Sequence, residues 1–157
     1  MYKITLRCIN EVIELKGNDD IKGFLEIFGH FHDSCLKELL MWTDSYVDDD
    51  PSMKVGVGLD TKIRMLFQRQ SNVPAAIELL FEGVTHFQLK PSPENYDSII
   101  YDANLLLKDE TFYWTDSVDW TPNDHNEEIT WISAKKVKWR EVNHWIGEER
   151  RYKTVEE

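Results

Sequence analysis

Three stretches of the chain alternate between apolar and polar residues with a period of two. They are residues 62–70 ("KIRMLFQRQ"), 76–84 ("AIELLFEGV") and 130–139 ("TWISAKKVKW"). Successive side chains of a β-strand point to opposite faces, so this period predicts antiparallel strands with one face on a core and one face in water. In the third stretch the pattern places Trp131 on the same face as Val137. The residues predicted to point inward are Phe67, Leu79, Phe81, Ile99, Tyr101 and Trp131.

Two other stretches have different patterns. Residues 97–107 ("DSIIYDANLLL") are more continuously apolar, which is typical of a central strand. In residues 19–31 ("DDIKGFLEIFGHF") apolar side chains recur at helical spacing. This spacing predicts a helix, with Asp19 or Asp20 as its N-cap.

Segments rich in Asp, Pro, Ser, Asn or Gly separate these elements and predict loops at 46–60, 90–97 and 115–128. Seven or eight short strands between such turns indicate a mostly β fold, either an antiparallel sandwich or a partly closed barrel, with one or two short N-terminal helices. The length predicts a single domain over residues 1–157, in which the charged tail 148–157 frays.

The chain is acidic, with 29 Asp and Glu against 18 Lys and Arg and a net charge of −11. Such a charge repels nucleic-acid phosphates and anionic lipid surfaces, so neither is expected as a partner. It suits a basic protein partner, although an acidic surface also serves solubility. No apolar leader follows Met1 and no apolar run approaches the length of a membrane span, so we expect a cytoplasmic protein.

The densest group of possible metal ligands is "GHFHDSCLKE", where His30, His32 and Asp33 are the candidate metal-binding residues. Imidazole and carboxylate groups are ligands of zinc-like ions when they converge on one point. The alternative is a structural corner, in which polar side chains satisfy backbone groups at a tight turn. The spacing from His32 to Glu38 does not fit the His-x-His-and-Glu motif of metal-binding cupins. No catalytic residue or cofactor is predicted.

The chain resembles a family of bacterial proteins, mainly from Firmicutes, to which no activity has been assigned. The likeness covers residues 31–140 and is carried by "FHDSCLKELLMWTDSYVDDDPSM", "FQRQSNVPAAIELLFEGVTHFQLKP", "YDSIIYDANLLLKDETFYW" and "TWISAKKVKWR". It implies an extended conformation for residues 36–43, whose apolar spacing would also suit a helix. A second, looser likeness, through Phe81, Gly83 and Val84, is to small immunity proteins of bacterial toxin systems.

Two function classes follow from these observations. The favoured one is a non-catalytic module of the bacterial cytoplasm that binds another protein, and the second likeness implies an immunity-like role for it. The alternative is a metal-binding protein or metal-dependent enzyme that uses the corner formed by His30, His32 and Asp33. The sequence leaves the partner and the oligomeric state open.

Overall fold

The computed structural model describes residues 11–71 and 73–152. Nine strands, one α-helix and one 3₁₀ turn make up this part of the chain, and all strand pairs are antiparallel. The elements are β1 (Ile13–Leu15), α1 (Asn18–Ile27), the 3₁₀ turn (Gly29–Phe31), β2 (Ser34–Trp42), β3 (Tyr46–Val47), β4 (Met53–Lys54), β5 (Lys62–Arg69), β6 (Ala76–Gln88), β7 (Asn104–Lys108), β8 (Thr111–Thr115) and β9 (Trp131–Glu141). The prediction of a mostly β fold with an N-terminal helix is confirmed.

Seven of these strands form one sheet, which is built around the two longest strands. The order is β2–β5–β6–β9–β8–β7. One edge of β9 pairs with β6, and the other edge is shared by β8 near residues 131–134 and β1 near residues 137–139. Strands β3 and β4 form a separate two-stranded ribbon. The described strands thus belong to one sheet and one ribbon, not to the two facing sheets of a sandwich.

The sheet curls until its two ends meet through hydrogen bonds of the loop before β7. Ile100 N–H donates to the carbonyl of Ser34 at 2.8 Å, and Ala103 N–H donates to the carbonyl of His30 at 2.9 Å. Strands β2 and β7 lie at opposite ends of the sheet. In a flat sheet, five spacings of about 4.8 Å would hold them about 24 Å apart. The described strands do not close into a barrel, because β2 and β7 themselves are not paired.

The main hydrophobic core lies between α1 and the inner face of the sheet. Helix α1 contributes Ile21, Phe24 and Leu25, all of which are buried. The inner face contributes the apolar positions of the alternating pattern, which pair across strands as Ile63 with Phe81, Met65 with Leu79 and Phe67 with Ile77. The prediction that Phe67, Leu79 and Phe81 point inward is confirmed, since all three are fully buried.

Between α1 and β2 the backbone passes through a left-handed corner. Gly29, His30, Phe31 and Asp33 all have positive φ, between 54° and 63°. Residues other than glycine rarely adopt this backbone conformation, which costs about 1–2 kcal/mol for each such residue. The corner turns the fully buried Phe31 into the core. There it contacts the rings of Phe24, Phe28, Phe67 and Trp114, with centroid distances of 4.9–5.9 Å.

Helix α1 begins and ends at other residues than predicted. Its N-cap is Gly17, which makes no side-chain capping bond, so capping by Asp19 or Asp20 is wrong. Asp20 lies in the first turn and accepts the N–H of Lys16 at 2.8 Å, a position where the helix dipole favours a carboxylate. The helix ends at Ile27 because the left-handed corner follows. Among the described residues, no helix combines the length and the apolar character of a membrane span.

The prediction of a central strand over residues 97–107 is wrong, and so is the inward position of two of its residues. Ile99 and Tyr101 are 44 % and 61 % exposed. Only Asn104–Lys108 forms a strand, and this strand lies at the end of the sheet. The apolar run before it crosses between sheet ends as a loop, where Ile100 alone makes an isolated bridge.

The inward position of Trp131 is also wrong. Its half-buried ring stacks on that of Trp120, with a centroid distance of 4.9 Å, while Ile132 is buried in the core. Ile132 and Val137 both face the core although they are five residues apart, so β9 changes face between them. Gly83 of the paired strand lies opposite this change and has φ +62°, a left-handed conformation that interrupts regular alternation.

Strand β2 confirms the extended conformation that the resemblance implied. A β-bulge between Leu36 and Glu38 adds one residue to it. Leu36 pairs with Phe67, and Leu40 pairs with Arg64, whose side chain points to the other face of the sheet. Simple alternation would place Leu36 and Leu40 on the same face of the sheet. The bulge places them on opposite faces.

The outer face of the sheet carries a buried ion cluster beneath the C-terminal segment. Glu78 is only 4 % exposed and accepts hydrogen bonds from Arg140 Nε at 2.8 Å and from the Tyr152 hydroxyl at 2.6 Å. Glu38 accepts the backbone N–H groups of Arg151 and Tyr152. Residues 153–157 lie outside the described residues, so the predicted fraying of the tail stays a prediction.

Replacement of Phe81 by Ala tests the inner face. We expect Phe81→Ala to lower the free energy of unfolding by about 3–5 kcal/mol, as for buried aromatic side chains generally. Denaturant unfolding followed by tryptophan fluorescence measures this loss. Phe87→Ala on the same strand is the matched control, because Phe87 is 38 % exposed and should lose much less. A loss below about 1 kcal/mol for Phe81→Ala would contradict the assigned face.

Candidate binding site

The left-handed corner holds the three predicted metal-binding residues in different roles. The backbone carbonyl of His30 accepts the N–H of Ala103, while its side chain is exposed. The ring of His32 donates from Nδ1 to the carbonyl of Tyr101 at 2.6 Å, since a carbonyl can only accept. Its Nε2 lies 3.4 Å from the carboxylate of Asp33. These contacts tie the corner to the loop before β7.

The surroundings of His32 favour its protonated form. The hydrogen bond to the Tyr101 carbonyl raises the pKa of His32, and the negative charges of Asp33 and, to a smaller extent, Asp102 raise it further. A metal ligand must be a neutral imidazole, so these contacts compete with metal binding. Within the described ranges, no three His, Cys, Asp or Glu side chains are grouped so that they could hold a metal ion. The site of His30, His32 and Asp33 stays a prediction.

The corner also positions one wall of a cleft of about 320 Å³. The cleft is lined by residues 92, 98–102 and 116–118. Residues 98–102 are held against the corner by the bonds of Ile100 to Ser34 and of Tyr101 to His32. Ser34 is fixed in turn, since its hydroxyl donates to the carbonyl of Phe31 at 2.6 Å. The wall is therefore part of the fold and not a free loop.

The opposite wall carries the half-buried carboxylate of Asp116. Oδ1 of Asp116 accepts the N–H of Thr130 at 3.0 Å, and the N–H of Asp116 donates to the carbonyl of Thr130. Burial raises the pKa of Asp116, and the bond from Thr130 only partly offsets this effect. In the part of the chain that the structure describes, no lysine, arginine or histidine forms an ion pair with Asp116.

The two charged side chains that line the cleft are both carboxylates. Asp102 and Asp116 supply two carboxylates, and three serine hydroxyls lie beside them. A guanidinium or ammonium group offers five or three donors and a positive charge, so it complements these groups. Ile99 and Val118 add apolar wall for the methylene groups of such a side chain. The cleft is thus suited to a cationic side chain.

Sequence reasoning did not find the cleft. It placed Tyr101 in the core and predicted only a loop at 115–128. The one local signal was a carboxylate, Asp116, directly after the aromatic run of β8. That signal is weak, because aspartate is common wherever a strand ends in a turn.

Comparison with known proteins identifies no relative: no protein-family model matches the chain, and no curated protein or solved structure is significantly similar to it. The likeness to the Firmicutes family and to immunity proteins therefore stays a prediction.

The metal prediction can be tested by elemental analysis of protein purified without added metal or chelator. If the corner is structural, zinc, iron, manganese and nickel should each be well below one ion per chain, because His32 is engaged by Tyr101 and Asp33. One tightly held ion per chain that is lost in both His30→Ala and His32→Ala would establish the metal site instead. His125→Ala, a change of an exposed histidine outside the corner, is the control.

Replacement of Asp116 by Asn should stabilise the fold at neutral pH. Because the folded-state pKa of Asp116 is raised, protonation favours folding below the unfolded-state pKa, and this stabilisation is lost as the pH rises through the folded-state pKa. Asparagine resembles the protonated form and can still accept the Thr130 N–H. In urea unfolding, the free energy of unfolding of Asp116→Asn should therefore be higher than that of the wild type at pH 7. The difference should shrink as the pH falls towards about 4.

The exposed Asp119 of the same loop is the control for Asp116. Asp119→Asn removes the same charge and should change the free energy of unfolding by no more than about 0.5 kcal/mol. A loss of stability in Asp116→Asn at pH 7 would mean that a cation or donor already compensates the carboxylate.

Proposed function

We propose that the protein is a non-catalytic binding module of the bacterial cytoplasm, and that its partner is a basic protein. A lysine or arginine side chain of the partner enters the cleft between Asp102 and Asp116. The observation that carries this proposal is the half-buried carboxylate of Asp116, which has no cation among the described residues. Buried charges in proteins are normally paired, so the missing cation is expected to come from a ligand.

The electrostatics of the whole chain support a basic partner. A net charge of −11 attracts a positively charged protein over a long range and raises its association rate. The attraction is screened beyond about 10 Å at 0.1 M salt, so it acts mainly on the encounter. The cleft acts afterwards: the Coulomb attraction between a cation and a partly buried carboxylate is stronger than at an exposed one, because the surrounding dielectric constant is lower. The net charge thus sets the association rate of the complex, and the cleft sets its lifetime.

The finer proposal is an immunity-like role, in which the module binds and neutralises a basic toxin. Its supports are the charge, the two carboxylates of the cleft and the sequence likeness through Phe81, Gly83 and Val84. Such a role needs no catalytic group on this chain. It requires a partner whose cationic surface matches the cleft.

A fluorescent hexa-arginine peptide, with hexa-glutamate as its counterpart, tests the proposal. We expect the arginine peptide to bind and its association rate to fall steeply between about 0.05 and 0.3 M salt, as the Debye length shortens. Asp116→Asn should raise the dissociation rate about tenfold, the size expected for one charge-assisted contact. Stopped-flow fluorescence anisotropy resolves the two rates.

Asp119→Asn is the matched variant, because it changes the net charge equally but lies outside the cleft. It should lower the association rate as much as Asp116→Asn and leave the dissociation rate unchanged. Equal effects of both variants on dissociation would show that the cleft takes no part. Binding of hexa-glutamate, or an association rate independent of salt, would contradict the basic partner, and turnover of a substrate would contradict a non-catalytic module.

A further inference from the structure

The segment between β2 and β5 exposes an unusual number of apolar side chains. We call residues 43–60 the arm; it contains the ribbon β3–β4 and the loop that returns to β5. Val57 is fully exposed. The apolar side chains of the arm that are more than half exposed are Tyr46, Val47, Met53, Val55, Val57 and Leu59. A group of this kind on a soluble protein usually marks an interaction surface.

The arm is fixed at its base by polar contacts. The hydroxyl of Ser45 donates to the carboxylate of Asp60 at 3.0 Å and accepts the N–H of Gly56 at 3.4 Å. A side chain at position 56 would approach Asp60 to 2.7 Å, so this contact requires glycine. Lys62 Nζ binds the carboxylate of Asp44 at 3.3 Å. The apolar groups are thus presented on a held ribbon, which lowers the entropy lost on binding.

The turn of the ribbon is ordered by its own aspartates. Asp48 N–H donates to the carbonyl of Ser52 at 2.9 Å, and both the N–H and the hydroxyl of Ser52 donate to Asp50. These bonds lower the pKa of Asp50 and so favour its charged form. The arm has five aspartates and one lysine, a net charge of −4 within 18 residues.

This combination of charge and apolar surface selects among possible occupants. A second copy of the chain would bring two arms of charge −4 together, which costs electrostatic energy. An anionic lipid surface repels the arm for the same reason. A basic protein with apolar side chains among its cations complements both features. We propose that the arm is a docking surface for such a protein.

The basic character of this partner rests on the proposed function, but the surface does not involve the cleft. The partner contacts the arm through apolar residues that pack on Met53 and Val57, while its cations face the aspartates of the turn. Affinity then has two separable parts. One part depends on the carboxylates of the cleft, and the other on apolar contact with the arm.

A selection from a phage-displayed library of random 12-residue peptides tests this surface. The library is panned against the wild type, against the arm variant Met53→Ser/Val57→Ser and against the cleft variant Asp116→Asn. The wild type should enrich peptides that combine Lys or Arg with Leu, Phe or Trp. The arm variant should lose the enrichment of apolar residues, and the best synthetic peptide should bind it at least about tenfold more weakly, as for loss of an interface anchor.

The control is Val73→Ser/Leu89→Ser, which removes two similarly exposed apolar side chains outside the arm. It should bind the peptide like the wild type. If the arm variant binds as the wild type does while Asp116→Asn does not, the arm inference fails and the proposed function stands. If no basic peptide is enriched, both fail. Two other results would also overturn the inference, because each would identify another occupant of the arm. They are arm-dependent self-association in sedimentation and arm-dependent binding to phosphatidylcholine–phosphatidylglycerol vesicles.

Discussion

The burial of Phe31 is the constraint on which the rest of the structure depends. Its ring lies among four other aromatic rings, which come from α1, the segment after it, β5 and β8. Burial of a phenylalanine contributes about 1.5–3 kcal/mol, and each aromatic pair adds about 0.5–1.5 kcal/mol. The left-handed conformations of His30, Phe31 and Asp33 each cost about 1–2 kcal/mol. Burial and ring contacts together offset this strain, so the burial of Phe31 in the core stabilises the corner.

The shape of the corner has consequences at both of its ends. On the helix side, the guanidinium of Arg69 donates to the carbonyl of Ile27 at 3.2 Å and lies 4.7 Å from the ring centroid of Phe28. Gly29 has φ +57°, and a Cβ there would come within 2.8 Å of Arg69 Nη1, so a larger residue would have to displace this guanidinium. On the strand side, the carbonyl of His30 is turned outward and accepts from the loop before β7. The curl of the sheet and the near wall of the cleft therefore follow from one turn.

How much of this could be predicted differs between local and distant contacts. Alternation correctly placed Phe67 and Phe81, because a strand with one buried face has apolar residues at every second position. It failed for Trp131, where the left-handed Gly83 on the neighbouring strand changes the face. It also assigned Glu78 to water, although the C-terminal segment covers this carboxylate. Such errors arise where the deciding contact lies on another strand or far along the chain.

The cleft is the extreme case, since its walls come from distant segments that meet only after the sheet has curled. No sequence pattern near Asp116 or Asp102 predicts that the two residues line the same cleft. The sequence marked the corner by its cluster of polar residues. However, Nδ1 of His32 bonds to the carbonyl of Tyr101, 69 residues away, and not to a group within the turn. Asp116 is half-buried and accepts the N–H of Thr130, but no cation among the described residues pairs with it, and burial raises its pKa. A cationic ligand would supply that pair, which is why the proposed function rests on this carboxylate.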